Sequence, residues 1–187
     1  DELRKQANEA VMPAALATGE AVTLVDVATI PNVKIENVYA GVDNIFGASL
    51  YTVNKLYLGS KAVAALTKVQ ERLASKGYGL VVWDAYRPWA VSKLAHLALP
   101  ADKKYMLEDP DLKGNKHNTG NAVDVSLYDL ETGEAIEMSS GFDEPSMRQY
   151  ASYPGGTERQ RYLRTMLRET MEEFGFTGIE MEWWHFE

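Results

Sequence analysis

At 187 residues the chain has the length of one domain and enough material for a sizeable core, with hydrophobic content of 45% and charged content of 25%. A formal net charge of −8, with no basic patch to neutralise phosphates, argues against nucleic acid or an anionic membrane surface as the main partner and leaves small molecules or proteins. There is no cysteine, so disulfides and thiolate metal sites are excluded, and any metal must be held by Asp, Glu or the three histidines. No run approaches the ~18 apolar residues of a membrane span, and no signal-peptide pattern is present. The chain begins at Asp1, which fits a mature exported protein or a trimmed chain. The expected location is the periplasm or cell envelope, with the cytoplasm as the alternative.

Residues 1–20 read as a helix or arm punctuated by Pro13 and Gly19, set apart from a single domain over 21–187. Residues 21–26 and 32–40 carry the apolar clusters of strands, with Pro31-Asn32 as the turn between them, and a loop follows through Gly47. Over 61–76, Val63, Leu66, Val69 and Leu73 recur at helical spacing. Ser60 is placed to cap the start, and Gly77 to take a left-handed position after the end. Residues 79–83 then form a short apolar run suited to a buried strand. It delivers the chain to Asp84-Ala85-Tyr86-Arg87-Pro88, where Pro88 holds Arg87 extended and opens a helix to about Leu99 that Pro100 ends.

Residues 101–121 are polar and predict a long loop containing His117. Residues 122–130 alternate, with Val123, Val125 and Leu127 on one face and Asp124 and Ser126 on the other. Glu131-Thr132-Gly133-Glu134 turns this strand into 135–138, a hairpin. Over 157–174, Leu163, Met166, Leu167, Met171 and Phe174 form a helical stripe, with Thr157 and Gln160 as a capping box and Gly175 as a stop. Strands spread among helices without regular βαβ alternation predict an α+β fold, a mostly antiparallel central sheet flanked by helices.

The last six residues, Glu182-Trp183-Trp184-His185-Phe186-Glu187, set a carboxylate and an imidazole three apart among large rings. Such rings read as the end of a buried strand, where polar groups need partners or a job. A catalytic zinc site takes three N or O ligands and leaves a position for water, whose proton a nearby carboxylate can take. His117, Asp124 and His185 are the candidate ligands and Glu182 the candidate base. Taken singly, each of these residues serves more often as a paired structural polar group. Strand parity adds a condition. Three apart, Glu182 and His185 point to opposite faces of a regular strand, so the backbone between them must bend or bulge for both to reach one ion.

Three segments, Trp83-Asp84-Ala85-Tyr86-Arg87-Pro88, His117-Asn118-Thr119-Gly120-Asn121-Ala122-Val123-Asp124 and Glu182-Trp183-Trp184-His185, together resemble the zinc D-alanyl-D-alanine dipeptidases known from vancomycin resistance, relatives of the hedgehog-fold zinc D,D-peptidases. The resemblance runs from about residue 22 to the end. It implies one Zn2+ on His117, Asp124 and His185, with Glu182 as general base and later acid. It further implies Arg87 as stabiliser of the oxyanion of a tetrahedral intermediate. Tyr39 and Asp143 match positions near the substrate, Asp143 pairing with the free ammonium of a dipeptide. Asn115 stands where a substrate-side serine is usual in the family. The implied activity is hydrolysis of D-Ala-D-Ala or a similar D-dipeptide to free amino acids, in cell-wall peptide metabolism.

Two other readings stay open: a zinc D,D- or L,D-carboxypeptidase or endopeptidase acting on longer stem peptides in an open cleft, and a non-catalytic zinc-stabilised binding module, which the presence of Glu182 and Arg87 disfavours. His96 reads as an ordinary helix histidine, Trp83, Trp183 and Trp184 as core and pocket wall, and Glu169, Glu172 and Glu173 as a solvated helix face. Asp84 either orients Arg87 or caps its helix.

Overall fold

The computed structural model describes residues 1–17 and 21–187. Its helices are α1 (Glu2–Glu9), α2 (Ser60–Ala74), α3 (Trp89–Ala98) and α4 (Glu158–Glu173), and its strands are β1 (Leu24–Asp26), β2 (Lys34–Ile35), β3 (Tyr57–Gly59), β4 (Tyr78–Asp84), β5 (Val123–Asp129) and β6 (His185–Phe186). The main sheet has the order β2-β4-β5-β6, and β1 and β3 form a separate antiparallel pair. Within the main sheet β4–β5 and β5–β6 are antiparallel, and only the short edge strand β2 runs parallel to its neighbour. The α+β class and the mostly antiparallel sheet are therefore as the sequence predicts.

Helices α2 and α4 cover one face of this sheet. Leu66, Val69 and Leu73 of α2 and Leu163, Leu167 and Met171 of α4 share a core with Leu80, Val82, Val125 and Leu127. Each such side chain contributes roughly 1.5–3 kcal/mol through its removal from water, so the apolar stripes fix both helices to the sheet. The caps predicted for α4 are present: Gln160 N–H donates to Thr157 Oγ1 at 3.1 Å, and Thr157 N–H donates to Gln160 Oε1 at 2.9 Å. Gly77 and Gly175 have φ of 87° and 95°, the left-handed values expected just past a helix end.

Several local expectations are corrected. Ser60 does not cap α2 with its side chain; it is the first helical residue, after Gly59. The strand expected over 32–40 is confined to Lys34–Ile35 and gives way to a 3₁₀ turn at Val38–Ala40, while Asn32 (φ 61°) makes the predicted turn. The long loop over 101–121 holds 3₁₀ turns at Ala101–Met106 and Lys116–Thr119. The predicted hairpin turns back as expected but forms only one bridge, Tyr128 to Ala135. Residues 135–138 share the free edge of β5 with β6, which takes its Val123–Asp124 end, so no full partner strand develops. Pro13 precedes a 3₁₀ turn at Ala14–Leu16, and Gly19 lies outside the described residues. Among the described residues no helix is long and apolar enough to cross a membrane.

Candidate active site

The three candidate ligands meet where β5 and β6 pair, Asp124 lying opposite His185 in the register. His117 arrives from the 3₁₀ turn at Lys116–Thr119. Asn115 and Asn118 form a reciprocal capping box that starts this turn, and Gly120, at φ 76°, ends it. His117 Nδ1 lies 2.7 Å from the Ala85 carbonyl, which it reaches as a donor, leaving Nε2 to face inward as a lone pair. Around that point His117 Nε2 and His185 Nδ1 are 3.2 Å apart, His117 Nε2 and Asp124 Oδ2 3.3 Å, and His185 Nδ1 and Asp124 Oδ1 3.0 Å.

These separations provide a test of fit. Ligands on a tetrahedral ion at about 2.0–2.1 Å lie roughly 3.3–3.4 Å from one another. The three side chains, all at least nine-tenths buried, are therefore spaced to hold one divalent cation with little movement. Burial alone would raise the Asp124 pKa, but His117 and His185 outweigh it and hold the carboxyl well below its ordinary value. His185 is drawn the other way. Burial lowers its pKa, and the Asp124 hydrogen bond and charge, with Glu182 and Glu187 nearby, more than reverse this.

Glu182 stands beside the cluster with Oε2 3.9 Å from His185 Nδ1, and about two-fifths of its side chain is exposed (38%). The bend demanded by strand parity is present, since residues 183–184 form a turn in which His185 N–H reaches the Glu182 carbonyl at 3.3 Å. The rings that surround the turn hold it. Trp183 and Trp184 are almost fully buried, Trp183 Nε1–H donates to Ser140 Oγ at 2.8 Å, and Trp183 N–H donates to the Gln149 carbonyl at 2.9 Å. They belong to the core, as expected. Burial, then the neighbouring Asp124 charge, raises the Glu182 pKa, a direction that favours exchange of a proton by this carboxyl.

Arg87 is oriented by Asp84, which settles the choice left open by the sequence. Its Nε and Nη2 donate to Asp84 Oδ2 at 2.9 and 2.5 Å, and Tyr51 OH donates to the other oxygen, Oδ1, at 3.0 Å. The guanidinium carbon sits 5.1 Å over the Tyr39 ring. Tyr39 OH in turn donates to Asp143 Oδ2 at 2.6 Å. Asp143 has φ of 54°, a left-handed backbone that Asp tolerates better than most residues. Burial raises its pKa to about 7, with the Tyr39 hydrogen bond opposing and the Asp124 and Glu182 charges adding.

Asn115 is placed differently from the other candidates. Its Oδ1 is occupied by His117 N–H at 2.9 Å, so its side chain supports the ligand turn directly. Tyr51 and Asn118 are site residues that the sequence reading did not single out. Asn118 Nδ2 donates to the Arg87 carbonyl at 2.7 Å and to Ser92 Oγ at 2.9 Å, tying the His117 turn to Arg87 and α3. It lies within the His117–Asp124 segment, and an Asn three residues after an Asn is a signal for a capped turn. Nothing local marks Tyr51.

A family model described as D-ala-D-ala dipeptidase matches residues 20–187. The chain belongs to this family of metal-dependent peptidases. This family member is 38% identical over 165 residues to the D-alanyl-D-alanine dipeptidase of Escherichia coli K12, a match spanning 88% of the chain and 83% of the relative. It is 37% identical over 166 residues to the enzyme of that name from Enterococcus faecalis V583, covering 79% of the chain and 82% of the relative. Among solved structures it is similar to the LdcB LD-carboxypeptidase, with a TM-score of 0.53 and 19% identity over 91% of this chain and 69% of that one, a likeness of fold.

Proposed function

We propose that the chain is a zinc dipeptidase that hydrolyses D-Ala-D-Ala to two molecules of D-alanine in cell-wall peptide metabolism, with residues 21–187 as the catalytic domain and residues 1–20 as an appended arm. The observation that carries this reading is the convergence, in one place, of a tetrahedrally spaced His117–Asp124–His185 cluster, a raised-pKa Glu182 and the Arg87–Tyr39–Asp143 wall. The relatives named as D-alanyl-D-alanine dipeptidases support the substrate.

Zinc suits two imidazoles and one carboxylate, and when bound it would polarise the scissile carbonyl and lower the pKa of a coordinated water to about 7. Asp143, as carboxylate, would bind the free ammonium of the dipeptide, and Tyr39 would keep the carboxylate aimed at it. Glu182 would accept a proton from water as the water oxygen bonds to the carbonyl carbon. The carbonyl π electrons move onto oxygen, where Arg87 would stabilise the negative charge. When the C–N bond breaks, Glu182 would return that proton to the leaving nitrogen, so the carboxylate is restored.

Purified protein tests this directly. Zinc stoichiometry is measured together with D-alanine release from D-Ala-D-Ala and, in parallel, from a pentapeptide stem. The expected result is about one zinc per chain and turnover of the dipeptide with little of the pentapeptide. Preferential cleavage of the pentapeptide would instead support a carboxypeptidase. Replacing Glu182 by Ala should leave the zinc bound and lower kcat by roughly 10²–10⁴-fold; retention of full activity refutes the assigned base.

A further inference from the structure

Residues 1–17 lie outside the region that matches the family, which begins at residue 20. They are nevertheless joined to the candidate site. Helix α1 packs against α3, and its one buried side chain, Ala7, sits in a cluster with Tyr39, Leu50, Leu94 and Ala95. Arg4 projects from the same helix and donates from Nη1 to the Leu50 carbonyl at 2.9 Å and from Nη2 to the Ser49 carbonyl at 2.7 Å. A planar guanidinium can fork onto two successive carbonyls in this way, which an ammonium cannot match.

The strip that Arg4 holds has no place in a helix or sheet, so its position depends on such bonds. On its inner side it carries the substrate-facing wall. Leu50 N–H and Tyr51 N–H both donate to the Tyr39 carbonyl, at 2.8 and 3.2 Å. Ser49 Oγ–H donates to the Tyr51 carbonyl at 2.7 Å, and Tyr51 OH holds the Asp84 carboxylate that orients Arg87. We infer that α1, through Arg4, is a positioning element for catalysis: it braces the 49–51 strip and thereby sets Tyr39 and Arg87 against the substrate. Loss of Arg4 leaves the Ser49 and Leu50 carbonyls without these donors, and Tyr39 and Tyr51 shift together because they hang from the same three residues.

The kinetic part of this inference rests on the proposed dipeptidase activity; the structural part does not, and the test separates them. Arg4→Ala and Arg4→Lys are made in the full chain, and amide hydrogen exchange at Leu50 and Tyr51 is followed alongside zinc content and the KM and kcat for D-Ala-D-Ala. In Arg4→Ala the two amides should exchange about tenfold faster than in the unaltered protein. KM should rise roughly fivefold or more while zinc content stays unchanged. Arg4→Lys, which can still serve one carbonyl, should recover part of both effects and covers the case in which the alanine variant folds poorly. A helix that merely stabilises the fold would lower kcat only in proportion to the folded fraction measured by circular dichroism, at constant KM, and that result overturns the inference. Unaltered exchange at Leu50 and Tyr51 overturns it as well. If the unaltered protein does not cleave the dipeptide, the proposed function fails, and the exchange rates still decide whether Arg4 braces the strip.

Discussion

Replacing Asp143 by Asn should stabilise the protein at alkaline pH while disabling it as a dipeptidase. The Asp143 carboxyl has its pKa raised from 3.8 to about 7, chiefly by burial. A group whose folded pKa lies above its unfolded value binds protons more tightly in the fold. The resulting cost is absent below the unfolded pKa, grows as pH rises between the two values, and is complete above about 7. At 1.36 kcal/mol per pH unit this is roughly 4 kcal/mol. Asn removes the charge but keeps an oxygen to accept from Tyr39 OH, so the pair seen at 2.6 Å survives. In chelator-treated protein, urea unfolding at about pH 8.5 should show Asp143→Asn more stable by a few kcal/mol, and the gap should close towards about pH 4. Without a carboxylate for the substrate ammonium, kcat/KM in the zinc-loaded variant should fall roughly 30- to 1000-fold, the equivalent of about 2–4 kcal/mol. Activity of the unaltered protein should decline as pH drops and Asp143 takes up its proton, and the variant should lack this limb. A variant that is less stable at alkaline pH would falsify the electrostatic reasoning, because it would mean that the Asp143 charge supports the fold.

Three further outcomes follow from the same geometry. Glu187 Oε1 lies 3.6 Å from His185 Nε2, and Lys116 Nζ holds the other Glu187 oxygen at 2.8 Å; Glu187→Ala should therefore weaken zinc binding by about 10- to 100-fold in a chelator competition, while Lys116→Ala should do less. Asp84→Asn removes the charge that fixes Arg87 but leaves the Ala85 carbonyl on His117; kcat should fall on the order of 10²-fold, with a smaller loss of zinc affinity in the same assay because Asp84 Oδ2 also lies 3.7 Å from His117 Nδ1. Leu167→Ala opens a cavity in the core between α4 and the sheet and should lower unfolding stability by about 2–5 kcal/mol, measured in urea, with KM unaltered.

The meeting of His117, Asp124 and His185 and the bend between Glu182 and His185 were legible because polar residues in an apolar setting must find a partner. Helices α2 and α4 were legible from their apolar stripes, and α4 also from its capping box. The remainder of the site is not local. Tyr51 meets Asp84 across 33 positions, and Tyr39 meets Asp143 across 104, contacts that no periodicity encodes. Asn115 carries a contact that the resemblance does not announce: its Oδ1 accepts from the His117 amide at 2.9 Å and so caps that turn. Residues 135–138 form no full strand, since a turn signal reports that the chain reverses but not whether the neighbouring strand edge is already shared.

The tail and the end of β4 explain why the His117–Asp124–His185 cluster and Arg87 are held together. β4 pairs with β5 from Tyr78 to Asp84, which lies opposite Asp124, and the register shifts between Val82 and Asp84. Beyond that irregularity, four consecutive residues divide the work: Asp84 orients Arg87, the Ala85 carbonyl fixes the His117 ring, Tyr86 N–H ties back to the Tyr57 carbonyl at 2.8 Å, and Arg87 N–H returns to the His117 carbonyl at 3.1 Å. His117 and Arg87 are therefore positioned by the same stretch of backbone, and a displacement of either moves the other. The turn at 183–184 performs the same service on the opposite side, carrying Glu182 and His185 on one short arc anchored by buried tryptophans. On the proposed function, zinc affinity and the alignment of Glu182 and Arg87 should for this reason be coupled through the backbone, while changes at Tyr39 and Asp143, which lie on other segments, should affect the ion less.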